Sequence, residues 1–326
     1  MASPYASINA RIKVMRTELM ERGTLEEAIT ASSYPEYLRV LSESTLREDL
    51  GDAAARGAGL RDLDASLSQN YLRTVQRLQN LAVGPTAREI SALVMRYDLA
   101  NLKTLVRGVQ AGRSPADVEA GLVPAGSIRP AVLQAAASSA DVASLAQTLA
   151  LGGGPLGQVL RAAVTGGATD PLELEVALDQ GYYRSVIANV RGAGVRRYFT
   201  REIDVRNLLT ALQLRGVGGQ ARFFVPGGRD VTEGDFLRVA GGDNTLGSAE
   251  LSPILDAPDL GGAEAAARHI LDSASSNIAM SDVLGAGVAL DFLRRKEQEI
   301  AKLRLIGRAK YYDLPAEQIR REIEGA

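Results

Sequence analysis

Cysteine and tryptophan are absent from this chain of 326 residues, histidine occurs once, and lysine and phenylalanine five times each. Without cysteine there is no disulfide, no thiolate nucleophile and no thiolate metal ligand, a usage that suits a reducing compartment. With His269 alone, a multi-histidine transition-metal site cannot be assembled. No serine or acid stands in a nucleophile-elbow context that would draw His269 into a triad, so it reads as a structural or surface residue. None of the lysines follows a glycine, which excludes a phosphate loop of the G-x-x-x-x-G-K-[ST] type. Gly285-Ala286-Gly287 opens like a dinucleotide fingerprint, but Leu290 occupies the third small position and no strand precedes it. No apolar run approaches the roughly 18 residues needed to cross a bilayer, and the N-terminus lacks the apolar stretch of a secretory leader. The reading is of a chain with no catalytic residues, no cofactor, no metal and no small-molecule substrate.

The formal net charge is −2, which argues against attraction to nucleic acid. One local asymmetry survives that average. Between Arg294 and Lys310 seven cations stand against the two anions Glu297 and Glu299. Within it, Arg294 to Glu299 is polar throughout, so this stretch is expected to be exposed on all sides or to meet a polar partner.

The residues that are present read as helix. Tyr5, Ile8, Ile12, Met15 and Leu19 form one apolar stripe over residues 5–22. Gly23 is expected as its C-terminal cap, and Thr24 with Glu27 as a capping box for the next helix. Leu60, Leu63, Leu67, Tyr71, Val75 and Leu78 place a helix over 60–80. Ile90, Leu93, Val94, Tyr97, Leu102, Leu105 and Val106 place another over 87–107, ending at Gly108. Only Arg222-Phe223-Phe224-Val225 hints at extended chain, and Pro226 stops it. Breaks fall at the glycine- and proline-rich stretches 84–85, 121–130, 152–155, 216–219, 226–228 and 241–242. The fold class is all-α. Few aromatics leave the core to Leu, Val, Ile and Ala, and small side chains let helices approach closely.

The chain also repeats itself. Leu63, Leu67, Gln69, Tyr71, Arg73 and Val75 recur as Leu174, Leu178, Gln180, Tyr182, Arg184 and Val186, at an offset of 111. Asp98-x-x-Asn101-Leu102 recurs as Asp204-x-x-Asn207-Leu208 and loosely as Glu299-x-x-Lys302-Leu303. Tyr37-Leu38-Arg39-Val40 recurs as Phe236-Leu237-Arg238-Val239, at an offset of 199. Repeats of about a hundred residues point to three small domains rather than a solenoid, with bounds expected at 1–120, 121–225 and 226–326. Asp98 and Asn101 share a helix face and are expected to be a partly buried brace to a neighbouring module. Arg39 and Arg238, equivalent by repeat, and Arg294, Arg295 and Lys296 are the candidate partner-binding residues.

Three of these stretches also carry a family resemblance. They are Tyr5-Ala6-Ser7-Ile8-Asn9-Ala10-Arg11-Ile12-Lys13, Asp204-Val205-Arg206-Asn207-Leu208, and the run from Leu293 to Lys310 that continues through Tyr311-Tyr312-Asp313-Leu314-Pro315 to Ile319-Arg320. In combination and in order, the chain resembles the C subunit of the V-type/A-type rotary ATP synthases of bacteria and archaea, similar to the d subunit of eukaryotic vacuolar ATPases. The resemblance implies three helical modules forming a funnel with pseudo-threefold symmetry. It implies a non-catalytic socket, one copy per complex, between the central-shaft subunits of the soluble head and the membrane rotor ring. It further implies a peripheral place on the cytoplasmic face of the membrane. The alternative on the residues alone is a generic all-α adaptor or scaffold of another complex. The glycine-rich stretches 152–154 and 216–219 depart from the family pattern.

Overall fold

A computed structural model describes residues 3–50, 59–217 and 220–325. Every regular element among the described residues is helical. In chain order they are α1 (Ala6–Arg16), α2 (Arg22–Thr30), α3 (Tyr34–Ser42), α4 (Leu60–Leu81), α5 (Pro85–Gln110), α6 (Pro115–Glu119), α7 (Pro130–Ala137) and α8 (Val142–Gly152). They continue with α9 (Gly154–Thr165), α10 (Pro171–Asn189), α11 (Ala193–Gln213), α12 (Glu233–Ala240), α13 (Ser252–Leu255), α14 (Leu260–Ser281), α15 (Gly287–Tyr311) and α16 (Ala316–Gly325). The 3₁₀ turn, Ala221–Phe223, stands where an extended segment is expected.

The chain divides into two compact units, residues 83–278 and a unit built from both chain ends, 1–82 with 279–326. In the unit built from the ends, α15 packs against α4, α1, α3 and α16. Its core takes Ile8, Ile12 and Met15 from α1, Tyr37 and Leu41 from α3, Leu63, Leu67 and Val75 from α4, and Ile300, Leu303 and Ile306 from α15. The stripes on α1 and α4 are therefore buried as their periodicity requires. In the unit 83–278, α5 packs along α10, α9 lies against α8 and α10, and α11 packs on α12. One apolar cluster there joins Val205 and Leu208 of α11 with Phe236 and Val239 of α12 and Ala263 and Ala267 of α14. No aromatic ring larger than tyrosine was available, and the core is correspondingly aliphatic.

Three boundaries differ from the sequence reading, each for a visible reason. Helix α1 stops at Arg16 rather than near residue 22, because the Met20 N–H donates to Glu299 Oε2 at 2.7 Å instead of to a helical carbonyl. Gly23 and Thr24 accordingly lie inside the first turn of α2, whose N-cap is Glu21. Helix α5 runs past Gly108 to Gln110. Gly108 is there for close packing, since a Cβ would lie 2.5 Å from Val118 Cγ2. The expected break at 216–219 is seen at Gly216, with φ +79°, while residues 218 and 219 lie outside the described residues.

Candidate partner interface

Asp98 and Asn101 lie on one face of α5, both buried, and hold the loop that leads into α7. Asn101 Nδ2 donates to Val123 O and Asn101 Oδ1 accepts from Val123 N, each at 2.8 Å. Asp98 accepts from Ser127 N at 2.9 Å, Ser127 Oγ at 2.6 Å and Ile128 N at 3.0 Å. The same arrangement recurs on α11. Asn207 exchanges both hydrogen bonds with Val225, at 2.8 and 2.9 Å, and Asp204 accepts from the N–H groups of Arg229, Asp230 and Val231 at 3.0 to 3.1 Å. A glycine closes each cradle. A Cβ on Gly126 would lie 1.9 Å from Asp98 Oδ1, and one on Gly228 would lie 2.1 Å from Asp204 Oδ1. Burial pushes both carboxyls above the ordinary carboxylate range, against the N–H bonds that favour the charged form. The brace thus fastens a loop of its own unit, and both partner atoms of Asn are used.

The third marker is a looser version of the same device. Glu299 on α15 takes the Met20 N–H, in the loop before α2, and is ion-paired with Lys296. Hence the loop captured by the last long helix comes from the N-terminal end of the chain.

A second repeated feature joins the long helices. Arg107 of α5 forms a bidentate pair with Glu175 of α10, with both contacts at 2.5 Å. One turn earlier Lys103 Nζ sits 2.6 Å from Asp179 Oδ1, and Arg206 of α11 reaches Asp179 Oδ2 at 2.8 Å. Burial lowers the Lys103 pKa below the ordinary lysine value. In the other unit, Arg308 and Arg304 of α15 approach Asp64 of α4 at 3.5 and 3.3 Å, and Arg304 donates to Ser68 Oγ at 2.6 Å. Asp64 and Ser68 are the repeat equivalents of Glu175 and Asp179, at the offset of 111, while Arg304 and Arg308 match Lys103 and Arg107 at 201. The two helix pairs are the same construction.

The candidate partner residues are dispersed. Arg39 on α3 is 58% exposed and pairs with Glu43 at 3.0 Å and Glu36 at 3.9 Å along its own helix. Arg238 on α12 is 50% exposed and pairs with Asp235 and, at 3.6 Å, with Asp243. The two helices match in detail. Ser33 and Thr232 cap them, each accepting from the backbone N–H three residues on, and Tyr37 and Phe236 are fully buried. The Tyr37 hydroxyl donates to Leu303 O at 2.6 Å, while Phe236 shares its cluster with Leu208, the repeat equivalent of Leu303.

The polar run 294–299 is not exposed on all sides. Arg294 is partly exposed and Arg295, half exposed, pairs with Asp291 at 2.8 Å. Lys296 is only 4% exposed, its ammonium held by Glu299 of the following turn. Burial of Lys296 was hidden from sequence reasoning because its partner, an i+3 glutamate, also reads as surface. Asp179 and Lys103 were missed for the same reason, and Gly126 and Gly228 because nothing local distinguishes a cradle glycine from a turn glycine. His269 is exposed, and no group of three or more His, Cys, Asp or Glu among the described residues is placed to hold a metal ion.

Residues 8–322 match the family described as "ATP synthase (C/AC39) subunit". The chain is 48% identical to the V-type ATP synthase C subunit of Deinococcus radiodurans over 326 residues, 99% of this chain and 92% of the relative. It is 32% identical to the V-type ATP synthase C subunit of Thermus thermophilus, with 99% of each chain covered. It is 25% identical to the A-type ATP synthase C subunit of Archaeoglobus fulgidus, over 98% of this chain and 96% of that one.

Proposed function

The chain belongs to the ATP synthase (C/AC39) subunit family, a non-catalytic subunit of a rotary ATPase, and from that premise we propose that it is the central-stalk socket of its complex. In this reading it sits once per complex between the shaft of the soluble head and the membrane rotor ring, and passes rotation from one to the other. Membership sets aside a generic adaptor of some other assembly. No helix among the described residues is long and apolar enough to cross a membrane, in keeping with a peripheral place on the cytoplasmic side.

The observation that carries the reading is the repeated cradle. A torque coupler needs stiffness more than chemistry, and each cradle locks a loop to a long helix through a buried carboxylate and a buried amide. Such networks rigidify when every group is satisfied, and close-packed helices resist compression.

The cradles and ladders also support three look-alike modules, with chain order and spatial grouping out of phase. α5 with α10, α11 with α12 and α14, and α15 with α4 and α3 are the natural groupings. In this reading the modules part between successive long helices, at 82–84, 190–192 and 282–286, and the third module is closed by the two chain ends.

Arg39 and Arg238, exposed on matching helices, and Arg294 and Arg295 are proposed to face the partners. Lys296 contributes through its pair with Glu299. The test is charge reversal of Arg39 and Arg238 together, with retention of the purified shaft measured in a pull-down. Weakened retention with an unchanged melting curve is expected, falling further as salt rises. Unchanged shaft retention would remove these two residues from the interface.

A further inference from the structure

The N-terminal stretch Tyr5 to Lys13 does more than bury its apolar stripe. Asn9 of α1 is only 3% exposed, and its Nδ2 donates to Val283 O and to Gly285 O, each at 3.0 Å. Ser3 Oγ donates to the carbonyl between them, Leu284 O, at 2.7 Å. Three consecutive carbonyls of the turn between α14 and α15 are thus held by side chains from the other end of the chain. The turn also closes on itself, with Gly285 N donating to Asp282 O at 3.1 Å.

A turn held in this way has these carbonyls satisfied from within, and what it presents outward is apolar. Met280 is 70% exposed, Val283 56% and Leu284 55%. Three large apolar side chains exposed within five residues form a patch, whereas single scattered ones would need no explanation. Charge is nearly absent around them. From Ser273 to Leu290 the sole charged residue is Asp282. Its carboxylate is folded back onto the turn, since a Cβ on Gly285 would lie 1.9 Å from Asp282 Oδ2. The position matching Leu284 in the first repeat, at the offset of 201, is Val83, itself 74% exposed. In the second repeat it is Asn189, so the apolar tip belongs to two of the three repeats.

We infer that this turn is a docking knob that seats in an uncharged, apolar recess of another subunit of the complex, with Met280, Val283 and Leu284 as the buried contacts. The chemistry of the recess follows from what the turn leaves to be satisfied. The carbonyls of residues 283–285 need no donor from a partner, and the one charge nearby is already turned back onto Gly285. Depletion of charge around large apolar side chains is the composition of an interface core. A lipid surface is a poor match, because no lysine or arginine lies among residues 273–290 to meet anionic headgroups. A turn held before docking also gives up little backbone freedom when it docks. The inference rests on the chain being a subunit of an assembly, and it adds a contact opposite in character to Arg39 and Arg238.

The test uses the ATP synthase complex prepared from cells lacking this chain, with full-length chain added back at low and at high salt. Val283→Asp and Leu284→Asp alter exposed side chains, so the melting temperature is expected to hold while incorporation falls about tenfold for each. Leu284→Met stays apolar and is expected to incorporate as wild type does. The loss caused by the aspartates is expected to persist at high salt, where a contact made by arginines weakens. In parallel, Met280→Cys gives the chain its sole thiol, and a cysteine-directed photo-crosslinker there is expected to capture an apolar segment of another subunit. That crosslink decides the matter where an aspartate lowers the melting temperature. Equal incorporation of wild-type chain and both aspartate variants overturns the docking role while the subunit reading stands. Failure of wild-type chain to incorporate overturns both. Crosslinks confined to lipid, to a second copy of this chain or to a charged segment overturn the inferred occupant.

Discussion

Asn101 and Asn207 each satisfy both backbone polar groups of one residue, the half-exposed Val123 and the buried Val225. Replacing either by alanine strands a donor and an acceptor, and about 2–3 kcal/mol of stability is expected to be lost in each case. Equal losses in chemical denaturation would mark the two sites as equivalent, and a neutral Asn101→Ala would refute the cradle. Gly126→Ala and Gly228→Ala should cost as much, because the added Cβ displaces the carboxylate. The carboxylates also set a pH dependence. Their native pKa values are raised by burial, so the native state holds its protons to higher pH than the unfolded chain. Stability therefore falls as pH rises from the unfolded carboxyl value of about 3.9 through the native ones, and is constant beyond. Asp98→Asn is expected to flatten that slope and still to destabilise, because its amide turns a donor toward backbone donors.

At the scale of elements, the charged ladder between α5 and α10 separates a buried rung from an exposed one. Asp179 is 11% exposed in its side chain and Lys103 15%. Asp179→Ala leaves Lys103 and Arg206 without their shared carboxylate, and a loss of about 3 kcal/mol is expected. Lys103→Met with Asp179→Leu should recover much of it. Arg107 is 65% exposed, so Arg107→Ala should cost less than about 1 kcal/mol despite its bidentate geometry. A thermal-denaturation series in which Arg107→Ala was the more damaging change would reverse this ranking. The long helices were legible because their apolar stripes run over five to seven turns. Their ends were less so, since Met20 and Gly108 are placed by Glu299 and Val118, residues far off or beyond the helix.

For the molecule as a whole, the joining of residues 1–82 with 279–326 into one unit has a direct consequence. Removing residues 1–16 deletes Tyr5, Ile8, Ile12 and Met15, all buried, each a loss of about 1.5–3 kcal/mol, together with the Arg16 pair to Asp291 at 2.6 Å. Calorimetry of that truncated chain is expected to lose the transition of the end-built unit and keep one for residues 83–278. The fragment 83–278 alone should unfold cooperatively with the same enthalpy as that surviving transition. A single transition that shifts as a block in the truncated chain would show that the units do not unfold separately.

From the sequence by itself came the all-α class, the inward faces of α1, α4 and α5, the family resemblance, and the Asp-x-x-Asn pairs as structural braces. These are local properties, readable because helical periodicity and i to i+3 spacing are fixed by backbone geometry alone. What Asp98 and Asp204 hold, why Gly126 and Gly228 must lack a side chain, that Lys296 is buried, and that the last long helix is completed by the N-terminus were decided only in three dimensions. Each depends on a partner 18 to 279 residues away in the chain or on a cavity left when helices close. A hydrogen-bonded cradle has no signature in any single segment, because its energy belongs to the meeting of two.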